Sequence, residues 1–248
     1  MDRAETLMAK WLSERGYQYH FEPDDWGVLT CPDFRVVFAD QTVAIEVESI
    51  RSWGGFANAE PGKVFSRTMD MALRPVRGRI KSAAAQLKPL AVTCMPLVIA
   101  LANPLNRPVP FGVDMVISAM YGDPSFAFDD DAGRILLGRN GKLTNDHPYV
   151  SAVIVIRQAP GVRETAQRWF DENRGHFDTA QEVAQEARRL GAEGAFGDEG
   201  AVGIDLVETV GGSPRLPLGF ACGPHDTTWG PTADGKGIER KHKGDSAL

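Results

Sequence analysis

Seven residues in the first half of the chain, Pro96-Leu97-Val98-Ile99-Ala100-Leu101-Ala102, form an uninterrupted apolar run. A strand with no polar face must be covered on both sides, the condition of a central strand in a sheet flanked by helices. The run is too short to cross a bilayer, which needs ~20 residues; the next longest, Val150 to Ile156, is no longer. Upstream, the spacing predicts a helix from Pro75 to about Lys88, with Pro75 in its first turn, Pro89 as its stop, and Val76, Ile80, Ala83, Ala84 and Leu87 as the buried stripe. Strand, helix and apolar strand then form a right-handed βαβ crossover. The expected class is α/β, a central mixed β-sheet flanked by helices.

The strand that feeds this crossover carries the chemistry. Asp33 to Phe38 and Thr42 to Ser49 read as two strands joined by the turn Ala39-Asp40-Gln41. Side chains alternate along a strand, so Glu46 and Glu48 share a face while Ala44, Ile45 and Val47 supply apolar packing. Two carboxylates there are tolerated if a cation lies between them or if the face is open to water. Asp33, at the start of the facing strand, can close a cluster of three. Hard divalent cations such as magnesium favour such oxygen ligands. The bland alternative is a solvated hairpin, since Pro-Asp commonly starts turns and Glu-x-Glu is a common exposed strand pattern.

Pro32-Asp33-Phe34, a gap of thirteen residues to Glu46, and Ile45-Glu46-Val47-Glu48 together resemble the PD-(D/E)xK, or restriction-endonuclease-like, nuclease superfamily. The likeness extends from about Glu5 to Ile156. It implies a restriction-endonuclease-like core, with Asp33 and Glu46 as ligands of magnesium or manganese and Glu48 at the position where the superfamily carries a lysine. It further implies Glu5, on the first helix, as an acid turned toward the metal. Some members supply the positive charge from the next helix, which makes Lys81 and Lys88 the candidate catalytic cations and Gln86 a weaker one. Arg77, Arg79 and Gln86 are the candidate substrate contacts. The implied activity is metal-dependent hydrolysis of phosphodiester bonds, more readily of DNA, with RNA and a homodimer left open. The glutamate at the lysine position favours the alternative of a non-catalytic nucleic-acid or protein binding module that keeps the nuclease fold. A hydrolase of small phosphoesters is a third, weaker reading.

Charge distribution agrees with a polyanionic substrate better than the total does. The chain carries a net charge of -6. From Lys63 to Lys88, however, seven basic residues stand against one acid, and from Gly161 to Glu208 eleven acids stand against five arginines. A concentrated basic segment directly after an acidic cluster suits a phosphodiester. Three separated cysteines, Cys31, Cys94 and Cys222, suggest neither a disulfide framework nor a zinc site. With no leader sequence or spanning segment recognised, the expectation is a soluble, cytoplasmic protein without a membrane partner.

Ala4 to Arg15 places Leu7, Met8, Trp11 and Leu12 on one helical stripe that Gly16 ends. Tyr17 to Phe21 and Trp26 to Thr30 are short strand candidates. Arg51 to Met71 reads as a loop over the site. Beyond the apolar strand come a helix from Val113 to Tyr121, strands at Phe126 to Phe128, Arg134 to Leu137 and Val150 to Ile156, helices at Val162 to Asn173 and Thr179 to Leu190, and a last strand at Val202 to Val210. The expected organisation is a core over 1–160, an acidic helical appendage and last strand over 161–210, and a Gly/Pro-rich, partly disordered tail over 211–248. His225, Asp226 and His242 in that tail could meet a phosphate, but tail composition explains them better. Gly133 to Lys142, Gly211-Gly212-Ser213 and Asp129-Asp130-Asp131 each lack residues that a phosphate loop, a nucleophile elbow and a calcium loop require.

Overall fold

A computed structural model describes residues 1–24, 26, 31–51, 68–104, 109–122, 125–129, 132–136, 147–158, 169, 171–177, 179–192, 202–211 and 214–244. The elements are α1 (Arg3–Glu14), β1 (Gln18–Phe21), β2 (Phe34–Phe38), β3 (Gln41–Ser49), α2 (Met69–Leu87), β4 (Leu97–Ala102), α3 (Val113–Tyr121), β5 (Ser125–Asp129), β6 (Ala132–Leu136), β7 (Val150–Gln158), α4 (Ala180–Ala192), β8 (Val202–Glu208), β9 (Thr227–Pro231) and β10 (Gly237–Lys243). The expected α/β class holds. Among the described residues, ten strands form one mixed sheet in the order β1-β2-β3-β4-β7-β8-β9-β10-β6-β5. No helix among them is long and apolar enough to cross a membrane.

The apolar run is β4, and all six of its residues are buried. It lies parallel to β3 on one side and to β7 on the other. Alternate β4 side chains feed two cores. Leu97, Ile99 and Leu101 pack with Val76, Ile80, Ala83 and Leu87 of α2 and with Ile117 and Met120 of α3. Val98, Ala100 and Ala102 pack with Leu7, Met8, Trp11 and Leu12 of α1. The helix stripes match these two faces because their apolar residues recur at three- and four-residue spacing.

Local signals set the element ends that frame the site. Asp2 and Glu5 form a capping box at the start of α1, and Gly16 leaves that helix with φ +69. The β2–β3 turn is tighter than expected. Phe38 pairs with Gln41, so Ala39 and Asp40 alone make the bend, both with positive φ, the conformation that matches strand twist in a two-residue hairpin. Helix α2 starts at Met69, capped by the Thr68 side chain, so Pro75 lies inside it rather than in its first turn.

The C-terminal third corrects the expected division. β8 pairs directly with β7 and belongs to the central sheet, not to an appendage. Residues Thr227–Pro231 and Gly237–Lys243, placed in a partly disordered tail by composition, are β9 and β10, which extend the sheet toward β6. Asp226 fastens this segment to α1. Its buried carboxylate accepts hydrogen bonds from Trp11 Nε1 (3.0 Å), Arg15 Nε (3.1 Å), a terminal Arg15 nitrogen (3.1 Å), Gly223 N (2.9 Å) and Ile204 N (3.3 Å). The expected strand from Trp26 to Thr30, the loop from Arg51 to Met71 and the helix from Val162 to Asn173 lie mostly outside the described residues.

Candidate functional site

The acids expected to act together come from the β2–β3 hairpin. The last β2–β3 pair is Phe34 with Ile45, which leaves Asp33 across from Glu46. Because β2 ends there, the next inward-facing peptide group of β3 has no strand partner, and Asp33 Oδ2 accepts from Val47 N at 2.7 Å instead. Glu46 in turn takes a main-chain hydrogen bond at Asp33. Each carboxylate is therefore held by the other's strand.

Burial makes this pair costly. Glu46 is only 4% exposed, and its Oε2 is buried with no hydrogen-bond partner. Burial, then the Asp33 and Glu48 charges, raise the Glu46 carboxyl to about 9. Asp33 is pushed up to about 6, first by burial and then by the charges of Glu5, Glu22 and Asp2 against the lowering effect of the Val47 N–H. Removing a carboxylate from water without a partner favours its protonated form. Glu5, the expected acid on the first helix, contributes to the potential at both Asp33 and Glu46, while its side chain also caps α1.

Glu48 lies on the α2 side of the sheet with Glu46, in register with Leu101 of β4. Its carboxylate is engaged by a cation. Arg79 of α2 donates to Glu48 Oε2 at 3.0 Å, with side-chain exposures of 33% and 10%. Lys81 on α2 and Lys88 at its C-cap, the expected catalytic cations, are exposed. At 100° per residue they stand about 180–200° around the helix from Arg79, so they cannot face β3 when Arg79 does. Gln86, two turns beyond Arg79, shares its side of the helix. Arg77, a candidate substrate contact, is instead paired with Asp70 about two turns toward the N-terminus.

Among the described residues, no three His, Cys, Asp or Glu side chains stand close enough together to hold one ion as placed. Asp33 and Glu46 form a pair, and Glu48 is drawn toward α2. The sequence missed Arg79 in this role. The available signal was helical phase, since Arg79 borders the buried stripe between Ala72 and Ala83, both buried small residues that leave room for a guanidinium to reach the sheet.

No family model matches this chain, and no curated protein or solved structure is significantly similar to it.

Proposed function

We propose that the chain is a magnesium- or manganese-dependent nuclease of the PD-(D/E)xK type, acting on the phosphodiester backbone of DNA. The observation that carries this reading is the buried, unpartnered Oε2 of Glu46 beside a second, half-buried carboxylate, Asp33. A divalent cation is the partner that such oxygens lack. The element order α1, three antiparallel strands, α2 and a parallel β4 is consistent with a restriction-endonuclease-like core.

Asp33 and Glu46 would hold the ion, assisted by the Val47 carbonyl, which faces the same open edge as the Val47 N–H. A bound ion lowers the pKa of a coordinated water and stabilises charge on the phosphate. Glu48 is a further ligand or the general base. Arg79 takes over the electrostatic role that Lys81 and Lys88 were expected to fill, and its fork can grip a phosphate at two points. Exposed Arg74 and Lys81 on α2 and Lys88 at its C-cap then attract the polyanion at longer range.

The test is cleavage of plasmid and single-stranded DNA in manganese, comparing wild type with Asp33→Ala. Cutting by wild type that the substitution abolishes supports the reading, and cutting that survives it assigns the activity elsewhere. The Arg79–Glu48 pair also favours a second reading, a nucleic-acid binding module without catalysis, because the charge at the lysine position is already compensated. DNA binding that is metal-dependent but leaves DNA intact would select it.

A further inference from the structure

The carboxylates of β3 are not treated alike. Glu46 has a buried oxygen with no partner, whereas Glu48, two residues on and on the same face, is held by the Arg79 guanidinium at 3.0 Å. With Glu48 so engaged, Asp33 and Glu46 are the hairpin acids left to face an ion, and no three-acid grouping forms among the described residues. Arg79 is a third exposed, so an anion from solvent can reach it. A guanidinium binds phosphate and carboxylate with the same bidentate geometry, so the two compete for it.

The geometry points to Arg79 as a latch: it withholds Glu48 from the Asp33/Glu46 pair until a phosphodiester takes the guanidinium and frees Glu48 to complete the cation site. This rests on the metal-dependent reading above and adds to it a coupling between substrate and ion. Binding linkage is reciprocal, so the phosphodiester tightens the cation as much as the cation tightens the phosphodiester. Such an arrangement keeps the full ligand set from assembling before substrate arrives. Arg79 is a positioning residue in this role, acting on the ion through Glu48.

The experiment is a manganese titration of the full chain followed by electron paramagnetic resonance of the free ion, with and without dimethyl phosphate as a non-cleaved diester anion. In wild type, dimethyl phosphate tightens manganese about fivefold or more, within the usual range of coupling between sites. Arg79→Gln binds manganese more tightly than wild type without the diester and gains nothing from it. Glu48→Gln, which keeps Arg79, binds manganese at the wild-type diester-free level and also loses the coupling. Thermal unfolding of each variant verifies that it is folded. Manganese binding by wild type with no response to the diester, or an Arg79→Gln protein that behaves as wild type, overturns the latch and leaves the nuclease reading standing. Absence of manganese binding by wild type overturns both.

Discussion

Asp226 and Glu46 are the two most instructive carboxylates in the molecule because both are buried and only one is satisfied. Asp226, fully buried, receives five hydrogen bonds, two of them from a guanidinium, and ties the β9–β10 segment to α1. Glu46, 4% exposed, has an oxygen without a partner and two acids for neighbours. A buried charge with every lone pair filled has a structural explanation within the chain. One left bare and surrounded by like charge lowers stability, and its retention asks for a ligand from outside.

The contrast is sharpest in stability. Asp226→Ala leaves the Arg15 guanidinium and the Trp11 indole without their acceptor, and should cost about 3–5 kcal/mol, the usual loss when one partner of a buried pair is removed. Urea denaturation checks this, and a loss below about 1 kcal/mol would mean that the anchor contributes little. Glu46→Gln acts in the opposite direction. In the absence of metal it should stabilise the protein at mildly alkaline pH by about 2 kcal/mol, equivalent to a Tm rise of roughly 4–8 °C for a chain of this size.

Titration separates the two further. Glu46 titrates near 9 in the folded protein and Asp33 near 6, both above their unfolded values. Each contributes stability that is present below its unfolded pKa and lost as pH rises through the folded one. The metal-free wild type should therefore lose Tm steadily from about pH 4 to pH 9, and Glu46→Gln should lose less of it between about pH 6 and 9. Parallel curves for the two proteins would remove Glu46 from the explanation. The smallest effect belongs to Arg79→Ala. Its pair with Glu48 is partly exposed, so stability should change by less than about 1 kcal/mol, measured by the same denaturation.

How far the sequence could be read depends on whether the signal is local. The apolar run of β4 and the alternation of β3 are written in consecutive residues, and both elements appear where their patterns predict. Asp33 and Glu46 come together for the same reason, since a two-residue bend fixes which residues face each other. The C-terminal strands β9 and β10 pair with each other locally, but neither shows an apolar alternation in the sequence and their attachment to the rest of the sheet is long-range. β10 pairs with β6 about a hundred residues earlier, and Asp226 finds Arg15 across 211 positions. Gly230, Pro231 and Gly237 lie within β9 and β10 themselves, so a composition that ordinarily argues against strands hid them. Arg79 was legible as a candidate substrate contact but not as the partner of Glu48, because that role depends on which side of α2 meets the sheet.

The central claim is that the Asp33/Glu46 pair is half of a divalent cation site. Thermal unfolding of wild type and Glu46→Gln at neutral pH, with increasing manganese, tests it most directly. Wild type should gain several degrees as the ion binds the folded state, by the mass-action relation that links ligand concentration to stability, and Glu46→Gln should not respond. A wild-type protein indifferent to manganese, or a variant that responds equally, would contradict the claim.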